Sequence, residues 1–174
     1  MMQPPQNPAG EFIPEENIGP ERRAELIAVI EKAPANLRKA VAGLSEEQLN
    51  TRYRNWSIRQ IAHHLADSHV NSYIRFKWAL TEEQPTIKAY YEDLWAALDD
   101  SRMGDVKPPL ALLEGLHARW VLLLRSMNEP QFSRCFVHPE TEKSVSLNAA
   151  LCYYAWHCRH HTAQITWVRK QHGW

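Results

Sequence analysis

Cysteine is scarce in this chain of 174 residues, and the three that occur, Cys135, Cys152 and Cys158, form no C-x-x-C pair. An odd number without metal-binding spacing excludes a disulfide framework and a cysteine-built zinc site, so the thiols read as small buried apolar groups. An excess of charge is missing as well, since 20 basic residues balance 20 acidic ones. There is no field to gather nucleic acid or an anionic bilayer, and neither is expected as a partner. Long apolar runs are absent, none approaching the ~18 residues of a membrane span. Residues 1–20 are polar and rich in proline and glutamate, unlike a secretory leader, and the expectation is a soluble, cytoplasmic protein.

Strand signals are sparse, whereas amphipathic helical periodicity is not. The length suits one domain. Five of the eleven prolines fall within the first twenty positions, which predicts an extended arm over 1–19 and a single helical domain over 20–174. A first helix is expected from about Pro20 to Gly43, with Leu26, Ile27, Ile30, Leu37 and Val41 on one face and Pro34 kinking or dividing it. An S-x-x-Q capping box at Ser57–Gln60 opens a second helix to about Leu80. Between them and the next long helix, the pattern predicts a short helix at 90–98 and a loop from Asp99 to Pro108. The third helix carries Leu110, Leu113, Leu116, His117, Trp120, Leu124 and Met127, with His117 as a packed core residue. Residues 133–145 suit a small hairpin. A last helix starts after Ser146 and ends at 171–172, before Gly173.

The segment L-S-E-E-Q-L-N-T-R-Y (44–53) is echoed by M-N-E-P-Q-F-S-R-C-F (127–136), a displacement of 83 positions from Gln48 to Gln131. Two helix–linker–helix halves would bring the second and fourth long helices together. The fold class expected is all-α, a four-helix bundle with short extra helices and a hairpin, whose metal sites are built from inward residues of facing helices.

His157 and His161 stand one turn apart on the last helix, beside the stripe of Leu147, Leu151, Tyr154, Cys158, Ile165 and Val168. Burying an unpartnered polar group costs roughly 2–7 kcal/mol, so two inward imidazoles point to a divalent cation. The same phase puts His160 on the outward side. A third ligand is expected from the second helix, where His63, His64 and His69 all lie near the apolar stripe and periodicity does not choose among them. His64 shares its shoulder with Gln60, Ser68, Asn71 and Arg75, a polar ribbon suited to the wall of a wet pocket. Trp56 and Trp156 flank these histidines and read as core or interface residues.

W-S-I-R-Q-I-A-H-H-L-A-D-S-H-V-N-S-Y-I-R-F-K (56–77) and Y-A-W-H-C-R-H-H-T-A-Q-I (154–165) resemble the DinB/YfiT-like family, in particular its YfiT branch of metal-dependent hydrolases and bacillithiol transferases. P-A-G-E-F-I-P-E (8–15) and H-P-E-T (138–141) extend the resemblance over nearly the whole chain. It implies an up-down-down-up bundle, a homodimer, and nickel or zinc held by His64, His157 and His161, with Gln164 following the pair. Gln60 and Gln164 are the side chains expected to steady those ligands.

Three neutral imidazoles leave an ion's charge uncompensated, which acidifies a water, giving a hydrolase, or a small thiol, giving an S-transferase. No glutamate stands beside His157 as in H-E-x-x-H hydrolases, because Cys158, Arg159 and His160 fill the interval. That absence favours thiol transfer to an electrophile, and the resemblance implies a low-molecular-weight thiol of the bacillithiol type as the co-substrate. Arg75 is the candidate anchor for its carboxylates, Asn71 assists, and Asp67 is the candidate base. The alternatives are a hydrolase with water as nucleophile and a non-catalytic metal-binding stress protein.

Overall fold

Serine caps and terminal prolines set where the helices of this computed structural model begin. It describes residues 3–15 and 17–174; Met1, Met2 and Glu16 of the expected arm lie outside the described residues. In chain order the elements are α1 (Pro20–Val41), α2 (Glu46–Leu49), β1 (Arg52–Tyr53), β2 (Trp56–Ser57), α3 (Ile58–Thr81), α4 (Glu92–Ala96), α5 (Asp99–Met103), α6 (Lys107–Ser126), α7 (Glu129–Phe132), β3 (Cys135–His138), β4 (Lys143–Ser146) and α8 (Leu147–His172). The Ser57 hydroxyl accepts from the Gln60 N–H, and the Gln60 side chain accepts from the Ser57 N–H, closing the box that starts α3. Ser146 caps α8 through the Ala149 N–H, and Gly173, at φ 71°, ends it in the left-handed conformation.

The two repeated segments fold alike. α2 and α7 each open on a capping box, Ser45 with Gln48 and Asn128 with Gln131. Each is followed by an antiparallel pair, β1 with β2 and β3 with β4, which delivers the chain through a serine cap into a histidine-bearing helix. The hairpin expected near 133–145 is β3–β4. The β1–β2 pair was not foreseen, because two-residue strands are too short for alternation to show.

Two other expectations are corrected. Of the two outcomes expected at Pro34, a kink or a division, the division does not occur, since α1 runs unbroken past it with the ring buried. The N–H that proline lacks would have bonded the Ile30 carbonyl, and that oxygen accepts from His117 Nδ1 at 2.6 Å instead. The stretch from Asp99 is not all loop, since Asp99–Met103 forms α5. Its two leading aspartates suit the positive end of a helix, and the turn stops at Gly104.

α1 and α3 each pack against both α6 and α8, so α1 sits diagonally across the bundle from α3, and α6 from α8. Arg23 meets Asn148 at 3.3 Å near the starts of α1 and α8, and Arg169 donates to the Ala40 and Ala42 carbonyls near their ends, so these two run parallel. Glu31 with Arg125 and Arg38 with Glu114 make α1 and α6 antiparallel. Arg75 with Tyr154 and His64 with His157 do the same for α3 and α8. The order is up-down-down-up. Among the described residues, no helix is long and apolar enough to cross a membrane.

Among the described residues the interior has two apolar clusters, one around Ile30, Phe76, Trp120, Leu124 and Leu151, the other around Leu37, Ile58, Ile61, Leu65, Leu113 and Ile165. Each long helix passes from one cluster to the other, and the level between them holds His69, His117, His157 and His161. The N-terminal segment is irregular yet docked. Gly10 accepts from Trp156 Nε1 at 2.9 Å, Phe12 packs on Tyr153 and Trp156, and Ile18 is buried.

Candidate metal centre

His64 on α3 and His157 and His161 on α8 converge at that level, all three buried, with their ligand atoms within 4.8 Å of one another. His64 Nε2 lies 3.3 Å from His157 Nε2, which lies 3.1 Å from His161 Nε2. Metal–nitrogen bonds of 2.0–2.1 Å at tetrahedral angles would set such atoms about 3.3 Å apart, which fits both of these spacings. The chemistry of the donors fits as well. His161 Nδ1 donates to Gln164 Oε1 at 2.8 Å, which leaves its Nε2 bare. The Gln164 amide donates in turn to His160 Nε2 at 2.8 Å, fixing which way the glutamine points. Burial holds all three rings below the ordinary histidine range, His64 at about 3, so they are neutral and able to ligate near neutral pH.

Trp56 forms one wall. Its ring lies 4.4 Å from that of His64 and stacks at 6.2 Å over His161, while its indole N–H donates to Asp93 Oδ1 at 2.9 Å. A cavity of about 200 Å³, lined by Trp56, Asp93, His161 and Gln164, reaches the histidines from outside. A larger one, about 740 Å³, is lined by Ser68, Arg75, Tyr90, Glu92, Asp93 and Tyr154 among others. Asp93 borders both.

The structure brings the three expected ligands together, with Gln164 on one of them, and distributes the remaining candidates. Gln60 is engaged in the α3 cap and donates to the Ala96 carbonyl at 2.7 Å, tying α3 to α4. Asp67 is half-buried, and burial, with the Asp100 charge behind it, lifts its carboxyl to about 6. Asn71 donates to the Asp67 carbonyl within its own helix. Arg75 donates to the Tyr154 hydroxyl at 3.2 Å, and its Nε is buried beside the large cavity without a partner among the described residues. His160 departs from its expected outward place. It is 8% exposed and stacks on Trp156, because the N-terminal segment covers that side of α8.

Sequence reasoning missed the connection of His69 and His117 to the site. His69 is fully buried, with Nε2 3.1 Å from His157 Nδ1 and Nδ1 2.8 Å from His117 Nε2. Helical phase put both among apolar neighbours, which is correct, but phase on one helix does not report a partner on another. It also set Trp56 aside as core, and only the Asp93 contact reveals it as a wall.

Fold and site define a class: an up-down-down-up bundle with a buried three-imidazole donor set between its two apolar clusters. The DinB superfamily profile matches residues 30–165, and the chain belongs to that superfamily. It is 48% identical over 169 residues to "Putative metal-dependent hydrolase YfiT" of Bacillus subtilis (strain 168), covering 96% of this chain and 95% of that one. A counterpart from Geobacillus thermodenitrificans (strain NG80-2), also named as a metal-dependent hydrolase, is 45% identical over the same shares. The solved YfiT structure from Bacillus subtilis, described as having "an unusual four-helix bundle topology", superposes with a TM-score of 0.94 at 47% identity over 97% of each chain.

Proposed function

We propose that the chain is a divalent-metal-dependent enzyme, with nickel or zinc held by His64, His157 and His161, which transfers a low-molecular-weight thiol of the bacillithiol type onto electrophiles. The convergence of three buried Nε2 atoms carries the reading. A bound divalent ion would acidify whatever shares its coordination sphere. Around it, Gln164 keeps His161 oriented, and Trp56 excludes bulk water from one side. Arg75 and the buried Tyr90 hydroxyl, whose Nε and Oη have no partner among the described residues, offer donors to a thiol's carboxylates in the large cavity, with Asn71 assisting from the preceding turn. Asp67, held near 6, can take up the thiol proton. The sulfur then bonds the electrophilic carbon and the leaving group departs with its electron pair. Gln60 holds the α4 wall in place.

A hydrolase with water as nucleophile is the second reading, favoured by the names of the relatives and by the 200 Å³ cavity, which admits water up to His161. Purified protein is incubated with a small thiol and a chlorodinitrobenzene, and separately with a chromogenic ester, each with and without zinc or nickel. Metal-dependent thioether formation supports transfer, and ester cleavage without thiol supports hydrolysis. Inactivity in both would leave a non-catalytic metal-binding protein. The proposal includes a cytoplasmic homodimer of single-domain protomers, residues 20–174 with an arm at 1–19. Exposed Leu112 and Leu122 on α6 offer apolar area for the contact, and light scattering on a sizing column tests it.

A further inference from the structure

Four groups from four helices form one hydrogen-bonded line. It runs from the Ile30 carbonyl on α1 to His117 on α6 at 2.6 Å, to His69 on α3 at 2.8 Å, and to His157 Nδ1 on α8 at 3.1 Å. His69 and His117 lie parallel, 5° between ring planes, and are 0% and 1% exposed. The contacts alternate between ring nitrogens, so each imidazole uses Nδ1 on one side and Nε2 on the other.

A line of neutral imidazoles with one N–H each has two directions, and its end decides between them. A carbonyl oxygen can only accept. His117 must therefore carry its proton on Nδ1, which leaves its Nε2 bare toward His69. His69 must then donate from Nδ1, since otherwise two lone pairs would face each other at 2.8 Å. Its Nε2 is bare in turn, so His157 donates from Nδ1 and presents a bare Nε2 to His64 and His161. Burial keeps His69 and His117 below the ordinary histidine range, consistent with a neutral line.

The starting oxygen is free because of Pro34. The Ile30 carbonyl would normally accept from the N–H of residue 34, and proline has none.

We propose that Pro34, the Ile30 carbonyl, His117 and His69 form a tautomer-setting relay, in which His69 and His117 are positioning residues that hold His157 with its Nε2 lone pair directed at a cation. Ligating histidines commonly donate their other N–H to a carboxylate, a carbonyl or water. Here the carbonyl acts from the far side of the bundle through two further rings. The arrangement couples the backbone of α1 to the ligand set on α3 and α8, and it gives the polar level between the apolar clusters a single hydrogen-bond direction. The relay's bearing on a metal rests on the reading given above, whereas its tautomers do not.

The metal-free wild-type protein, labelled with 15N at histidine, is examined by long-range proton–nitrogen correlation. His117, His69 and His157 are each expected in the Nδ1–H form, and an Nε2–H form of His157 would overturn the relay. Zinc affinity is then measured by chelator competition for wild type, His117→Phe, His69→Phe and His69→Gln. Each phenylalanine variant is expected to bind zinc about 10–100-fold more weakly. His69→Gln should recover most of the loss, since its amide oxygen can accept from His157 Nδ1–H. Should a phenylalanine variant match wild-type affinity while folded by circular dichroism, or should a variant fail to fold while His157 carries its proton on Nε2 in the wild type, the relay is wrong. Wild-type protein that takes up no zinc but shows the three Nδ1–H forms would remove the metal reading and leave the relay standing.

Discussion

Trp56 and Asp93 hold the rim of the histidine centre together: the indole N–H of Trp56, on β2, donates to the Asp93 carboxylate on α4 over 2.9 Å. Asp93 lines both the 200 Å³ and the 740 Å³ cavities, and Trp56 lines the smaller one. The aspartate is exposed, so the contact contributes little to global stability, but it fixes how far the indole leans over His64 and His161. Asp93→Ala is expected to leave the melting temperature nearly unchanged. It should raise the KM of whichever substrate the assay identifies by about fivefold, the equivalent of one hydrogen bond of roughly 1 kcal/mol. An unchanged KM would show that the rim does not touch substrate.

The ligand set predicts an uneven response among neighbouring histidines. His161→Ala removes one of three donors and should abolish stoichiometric zinc or nickel in the purified protein, measured by elemental analysis. His160→Ala should retain it, because His160 bonds the Gln164 amide and packs on the Trp156 and His161 rings but is not one of the three clustered donors. Gln164→Leu leaves His161 Nδ1–H without its acceptor and should weaken zinc binding about tenfold or more. Equal metal content in His160→Ala and His161→Ala would refute the assignment.

Pro34→Ala should move stability and zinc affinity in opposite directions. Alanine restores a helical donor to the Ile30 carbonyl, and a proline inside a helix costs up to about 3 kcal/mol, so thermal stability is expected to rise. The oxygen then shares its lone pairs between the new N–H and His117, and zinc should bind more weakly than to wild type, though less so than for His117→Phe. If chelator competition gives unchanged affinity at a raised melting temperature, Pro34 has no part in the site.

Acid should destabilise the metal-free protein through its buried imidazoles. Burial holds His64 near 3 and His117 near 4, against 6.5 for a free ring. As pH falls below 6.5 the unfolded chain takes up protons that the folded one refuses, and stability drops until the folded rings protonate. Each pH unit in that window is worth about 1.4 kcal/mol per histidine. Asp67, held near 6, acts in the opposite sense: its contribution is greatest below its free value of 3.8 and is lost as pH rises through 6. Two rings outweigh one carboxyl, so the urea midpoint at pH 4.5 should lie below that at pH 7. Equal midpoints would mean the rings are not buried neutral.

The sequence by itself determined a good deal of this molecule. Ser57 with Gln60, Ser146 and Gly173 mark the ends of two long helices by local chemistry, and the Gln48/Gln131 repeat signalled two matching halves, though not the short capped helix and the β1–β2 pair that the structure shows in them. His157 and His161 were legible as an inward pair because spacing of four on one helix is itself a spatial statement. The choice of His64 over His63 and His69 came from resemblance to a family, not from phase, since all three rings on α3 are buried. What only the tertiary structure decided are relations between helices: that Pro34 leaves a carbonyl for His117, that His69 carries that bond to His157, that the N-terminal segment buries His160, and that Asp93 holds Trp56 over the site. Periodicity reports which side of one rod faces inward. A hydrogen bond between rods depends on their rotation and offset, which the packing of the whole core fixes and no local window contains.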